Sequence, residues 1–256
     1  MRKFNEKDFA SLRRSIESGR QGLNNLAVAL IGSIFLSIFM FWLVYTVAYD
    51  YSIYPNKESI KNVHFWVSIV IIVLSVFGAI PTLFKRFEYF QYFLTIITSQ
   101  NLFGYLSLIA ALLLIGQGDS VTTTSLIYLT ILIVFLGFTV FVLTSLRFYK
   151  LLKKGEYRLD SKKDQTRTTW EIMVSGNRGL IIAASVGMAL ILISLFTMLP
   201  ISSVGDIFIS MLFIGLFLAM QFVLPEQLVM LYCKLRFDSF NHNKNGNIKP
   251  LQMKYE

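Results

Sequence analysis

The sequence predicts an all-α integral membrane protein with six transmembrane helices, both termini in the cytoplasm and an amphipathic N-terminal helix lying on the inner surface. Three observations carry this. Hydrophobic residues make up 55 % of the 256, beyond the range of soluble domains. They gather into blocks of about 20 residues or more, the length that spans a hydrocarbon layer of roughly 30 Å as a helix. The basic residues between the blocks fall almost entirely on one side.

The N-terminal segment, residues 1–22, reads as cytoplasmic and amphipathic: Phe4, Phe9, Leu12 and Ile16 recur at helical spacing among charges. The apolar run that follows is too long for a secretory signal, and no small-residue cleavage site ends it. Six blocks then make a transmembrane domain over 23–240: Leu23–Tyr49, Val63–Phe84, Tyr89–Gly116, Ser120–Leu146, Gly179–Gly205, and Ile207–Leu224 with its continuation to Cys233. Of the 24 Lys and Arg residues, 22 lie in the N-terminal segment, the second and fourth loops and the tail; the opposite loops hold only Lys57 and Lys61. Positive charge is retained in the cytoplasm, so both termini are placed inside and the protein in a cell membrane, bacterial and cytoplasmic in type. The net charge of +9 follows from this topology and implies no nucleic acid partner. The lipid bilayer is the first partner, and anionic headgroups suit the same charges.

The loop 147–178 is the only long polar connection. With charges of both signs and with Trp170 and Ile172, it is expected to form short surface helices; it suits a cytoplasmic or membrane protein partner, or serves as a plain linker. The tail, 241–256, is polar with Gly and Pro and reads as disordered. Arg-Phe recurs at 86–87, 147–148 and 236–237, either as a trace of three ancestral hairpins or as the usual composition of an inner membrane interface. Small residues at i+4 spacing, Gly179, Ala183 and Gly187 in the fifth block and Ala29, Ser33 and Ser37 in the first, predict close packing and a central place for both helices. Association into homo- or hetero-oligomers is open.

The candidate site lies where polar groups enter the inner halves of these blocks. Glu226 stands inside an apolar run, eight residues before Lys234, and a carboxylate at membrane depth normally faces protein or water. Pro225 beside it removes a backbone donor and frees a carbonyl near Met220 or Gln221. Gln221 and Gln227 flank the pair. In the third block Thr95, Thr98 and Ser99 share a face, with Gln100 and Asn101 beside them, and Asn25 opens the first block. These residues are expected to line a polar cavity open to the cytoplasm, with Arg178 or Lys234 as counter-charge. The alternative is an interfacial Glu226 that reaches the headgroups because the last helix leaves the membrane early.

No nucleotide-binding, metalloprotease or serine-hydrolase motif occurs, and one deep carboxylate makes no acid/base pair, so no enzyme is expected. One cysteine and two histidines leave no material for haem, a zinc cluster or a disulfide framework, and no cofactor is expected. The layout of six helices, inside termini and an amphipathic N-terminal helix resembles the permease subunits of small bacterial ABC exporters. That resemblance implies a transport subunit energised by a partner. The competing expectation is a binding protein of the immunity type that captures a membrane-active peptide or a partner protein.

Overall fold

The computed structural model describes residues 4–118, 121–176, 203–243 and 246–251. Those residues are helical, apart from turns and one isolated antiparallel bridge, His242 to Ile248. A 3-10 helix over Glu6–Arg13 runs into α1 (Arg14–Glu17). Then come α2 (Leu23–Leu43), prolonged by a π-helical turn Val44–Ala48, and α3 (Lys57–Ala79) with the short α4 (Pro81–Phe84) after it. α5 (Glu88–Ser99) passes through a π-helical stretch, Gln100–Tyr105, into α6 (Leu106–Ile115). α7 (Thr123–Lys153), α8 (Lys162–Gly176) and α9 (Ser203–Arg236) complete the order.

Five described spans are long and apolar enough to cross a membrane: Leu23–Ala48, Lys57–Ala79, Glu88–Ile115, Thr123–Lys153 and Gly205–Arg236. The expected fifth block, with Gly179, Ala183 and Gly187 and the Arg178 before it, lies outside the described residues. Large apolar side chains such as Phe35, Trp42, Tyr128, Phe135 and Met211 point outward, as a lipid-facing surface requires.

Among the described residues the central span is the third. In its most apolar stretch 72 % of residues are buried, against 22 % for the first span. Among the described residues the first helix is not the central one: it buries Leu23, Leu26, Ala27, Leu30 and Ser37, so that of its small-residue stripe Ser37 is buried while Ala29 faces outward. Close approach occurs elsewhere. A Cβ on Gly78 would stand 2.8 Å from Leu94 Cδ1, and one on Gly137 would stand 2.6 Å from Phe217 Cε1, so these glycines let α3 meet α5 and α7 meet α9.

The two ends of the bundle are closed differently. At the end away from the termini, Lys57 Nζ donates to the carbonyls of Tyr49, Asp50 and Ser52 beyond the first span, and Lys61 lies over the Tyr49 ring at 4.7 Å. Both cations that depart from the charge bias are thus engaged locally. At the opposite end Phe9, Leu12 and Ile16 are buried among Leu26, Tyr92, Phe148, Leu152, Met230, Cys233 and Phe240. The N-terminal helix therefore gives its apolar face to the protein, not to a lipid surface. The spacing identified the apolar face; what covers it is set by tertiary packing. The tail departs from the expected disorder over its described residues: Lys249 N–H donates to Asn241 O, and Asn243 N–H to Asn247 O, in a hairpin that turns at Gly246 with φ of 81°.

Candidate functional site on the last span

α8 begins where a capping sequence directs it. In Ser161-Lys162-Lys163-Asp164 the Asp164 N–H donates to Ser161 Oγ at 3.2 Å, the spacing of a capping box. Asp164 is buried and accepts two bonds from Arg14, Nε to Oδ1 and Nη2 to Oδ2, both 2.9 Å. That paired guanidinium, assisted by the Asp160 N–H against the opposing effect of burial, holds the Asp164 carboxyl below the usual carboxylate range. Two further ion pairs fix the loop to the N-terminal segment: Arg158 to Asp8 at 2.8 Å, and Arg20 to Glu171 at 2.7 Å. Ser11 N–H also donates to Tyr157 O at 2.8 Å.

On this platform α8 presents Arg167, whose Nη2 lies 2.6 Å from Glu226 Oε1 on α9. The pair is partly solvated, with side chains 21 % and 43 % exposed. The guanidinium also lies over the Tyr157 ring at 5.5 Å. Burial first, and the Glu226 charge second, push the Tyr157 hydroxyl up to about 12, so it stays protonated at neutral pH. Lys163 donates to that hydroxyl at 2.9 Å, and burial followed by the nearby Arg167 lowers its ammonium.

Behind Glu226, the missing N–H of Pro225 leaves Gln221 O without its helical donor. Gln100 Nε2, from the π-helical stretch of the third span, donates to Met220 O at 3.1 Å and so braces the same turn. Gln100 Oε1 has no partner among the described residues, and neither has Gln227 Oε1. Gln221 faces α7, its Cγ 3.4 Å from a Cβ built on Gly137.

The other expected residues are used between different helices. Thr98 Oγ1 meets Ser75 Oγ at 3.3 Å, and Asn101 Nδ2 donates to Ser68 Oγ at 3.5 Å, both toward α3. Thr95 and Ser99 hydroxyls return to their own backbone, at Gln91 O and Ile96 O. Asn25 donates to Gly19 O and lines a cleft of about 640 Å³ at the end that holds the termini, together with Lys85 and the tail hairpin. Glu226 shares no hydrogen-bond partner with any of them among the described residues.

Among the described residues the counter-charge of Glu226 is Arg167 and not Lys234. Arg178 lies outside the described residues, and Lys234 is committed elsewhere: its Nζ donates to Phe240 O at 3.1 Å and lies 3.7 Å from Glu88 Oε2. Glu88 also accepts from His242 N–H at 2.9 Å and meets His242 Nδ1 at 2.9 Å, which ties the tail to the start of the third span. Arg167 was not singled out in the sequence because it is one of nine cations in its loop. No protein-family model, no curated protein and no solved structure matches the chain.

Proposed function

We propose that this multi-pass protein is a permease-like transport subunit of a cell membrane, bacterial and cytoplasmic in type, with its termini and α8 inside and with its energy supplied by a partner docked on α8. The observation that carries the reading is the Arg167–Glu226 pair. It joins a helix in the basic, cytoplasm-type loop to the last span beside the one turn that a proline weakens. Force applied to α8 would be delivered at the point where α9 most easily bends. Trp170 stands exposed on α8, an apolar anchor of the kind that protein interfaces use.

A second reading is favoured by one specific observation: the polar residues of the third span bond either other helices, as Thr98, Gln100 and Asn101 do, or their own backbone, as Thr95 and Ser99 do, which suits a binding protein of the immunity type better than a polar path. Purification from native membranes separates the two. The transport reading expects a co-purifying ATP-hydrolysing subunit whose activity becomes uncoupled in Arg167→Glu and recovers in the charge swap Arg167→Glu/Glu226→Arg. Protection of cells against an added membrane-active peptide, with no energising subunit and no effect of the swap, supports the binding reading instead.

A further inference from the structure

We propose that the inner end of α7 holds an anionic phospholipid, its phosphate among Arg147, Lys150 and Lys154 and its acyl chains against Leu143 and Leu146. The inference is independent of the transport reading. Its first support is register. Leu143, Arg147, Lys150 and Lys154 follow one another at i+4, i+7 and i+11, a single stripe that turns from apolar to basic along one face. A helix that enters the hydrocarbon at Thr123 leaves it after about 20 residues, near Leu143, so the cations begin at headgroup depth.

The second support is shape. These residues, with Leu151 and Lys153, line a cleft of about 620 Å³ on the outside of the bundle. Leu143 and Leu146 are largely exposed there. A ligand that fills the cleft must be apolar at one end and anionic at the other.

The third support is the contrast in charge pairing. Arg14, Arg20, Arg158, Arg167, Lys234 and Lys249 each reach a carboxylate. Among the described residues Arg147, Lys150 and Lys154 reach none, and Lys153 meets only the Tyr149 ring at 5.5 Å. The negative end of the helix dipole favours Lys153 and Lys154, but that effect falls off within the last turn and leaves Arg147 unexplained. Those six cations are paired by protein, whereas the cations of this outer stripe face the position where headgroup phosphates lie.

The test uses the full chain in nanodiscs of mixed phosphatidylglycerol and phosphatidylcholine, with retained lipid counted by native mass spectrometry after extraction. Wild type is expected to keep phosphatidylglycerol over phosphatidylcholine, and more weakly as salt rises. Neutralising one cation near a membrane surface weakens such binding roughly fivefold. The Arg147→Gln/Lys150→Gln/Lys154→Gln variant should thus lose it on the order of a hundredfold. The single exposed change Lys150→Glu gives the same direction should the triple variant not fold. Neutralising Lys85, Arg86 and Lys162, three cations of the same end outside the cleft, should leave retention intact. Equal loss in that control, or equal retention of both lipids by wild type, overturns the proposal. Competition by glycerol phosphate as effective as by whole lipid also overturns it, since that would be a site for free phosphate.

Discussion

Glu226 is half exposed and its partner Arg167 is also reached by solvent, so the pair contributes less than about 1 kcal/mol to stability. Glu226→Gln and Arg167→Gln should therefore leave thermal stability in detergent within a few degrees of wild type while uncoupling any energising partner. A large loss of stability in either would assign the pair to folding. Asp164 is the opposite case: it is buried and bidentate, and removing a charged hydrogen-bond partner there costs about 2 kcal/mol. Its carboxyl is held down by Arg14, so the stabilisation is present above the unfolded value of about 4 and is lost as pH falls through the lower folded value. Hydrogen exchange over residues 4–22, corrected for intrinsic rates, should show protection at pH 6 that disappears toward pH 3, and in Asp164→Asn should show little protection at either pH. Protection in Asp164→Asn equal to wild type would place the docking energy in Phe9, Leu12 and Ile16 and in the remaining pairs Asp8–Arg158 and Arg20–Glu171. The sequence pointed to Glu226 because a carboxylate in an apolar run is conspicuous. It could not point to Arg167, which lies 59 positions away among like charges and becomes distinct only when α8 folds back beneath α9.

At the scale of elements, the turn weakened by Pro225 was legible, including a freed carbonyl near Met220. The brace on that turn was not, because Gln100 reaches Met220 O, one residue before the freed Gln221 O, across 120 residues of chain. Gln100→Leu should destabilise the bundle by about 1 kcal/mol, with a smaller cost in a Pro225→Ala background, where a restored N–H to Gln221 O stiffens the turn that Gln100 braces. Additive costs in that double-mutant cycle, read by unfolding in mixed micelles, would mean that the amide and the proline act separately. Packing gives a sharper contrast. A Cβ at Gly137 would overlap the Phe217 ring, whereas at Gly32 it meets nothing within 4 Å. Gly137→Ala is expected to cost about 1–3 kcal/mol through overpacking, and Gly32→Ala to be neutral or slightly stabilising. Equal effects would mean that α7 and α9 are not held in close approach. Small-residue spacing could suggest such seams without locating them, since in α2 Ala29 of the stripe faces outward and Leu23, Leu26 and Leu30 do most of the packing.

At the scale of the whole molecule, the N-terminal segment, the loop helix and the tail fold together at one end, where Phe9, Tyr157 and Phe240 share one cluster. The composition and the charge bias made the membrane-spanning class and the separation of ends readable, but the polar segments looked independent because their pairing is a matter of ion pairs across 150 residues, as between Asp8 and Arg158. α8 is bound at this end, whereas Ile209, near the start of α9, packs with Tyr45 and Leu113 at the other. Six spans with inside termini require Trp170 and Asp206 to lie on opposite sides of the membrane. Cys233 is fully buried and reports neither side, so it is best replaced by Ser. The decisive measurement is labelling of Trp170→Cys and Asp206→Cys, each in that background, by a membrane-impermeant thiol reagent in sealed cells. The account predicts labelling at 206 without lysis and at 170 only after lysis; labelling of both from the same side, or of 170 alone in intact cells, would contradict it.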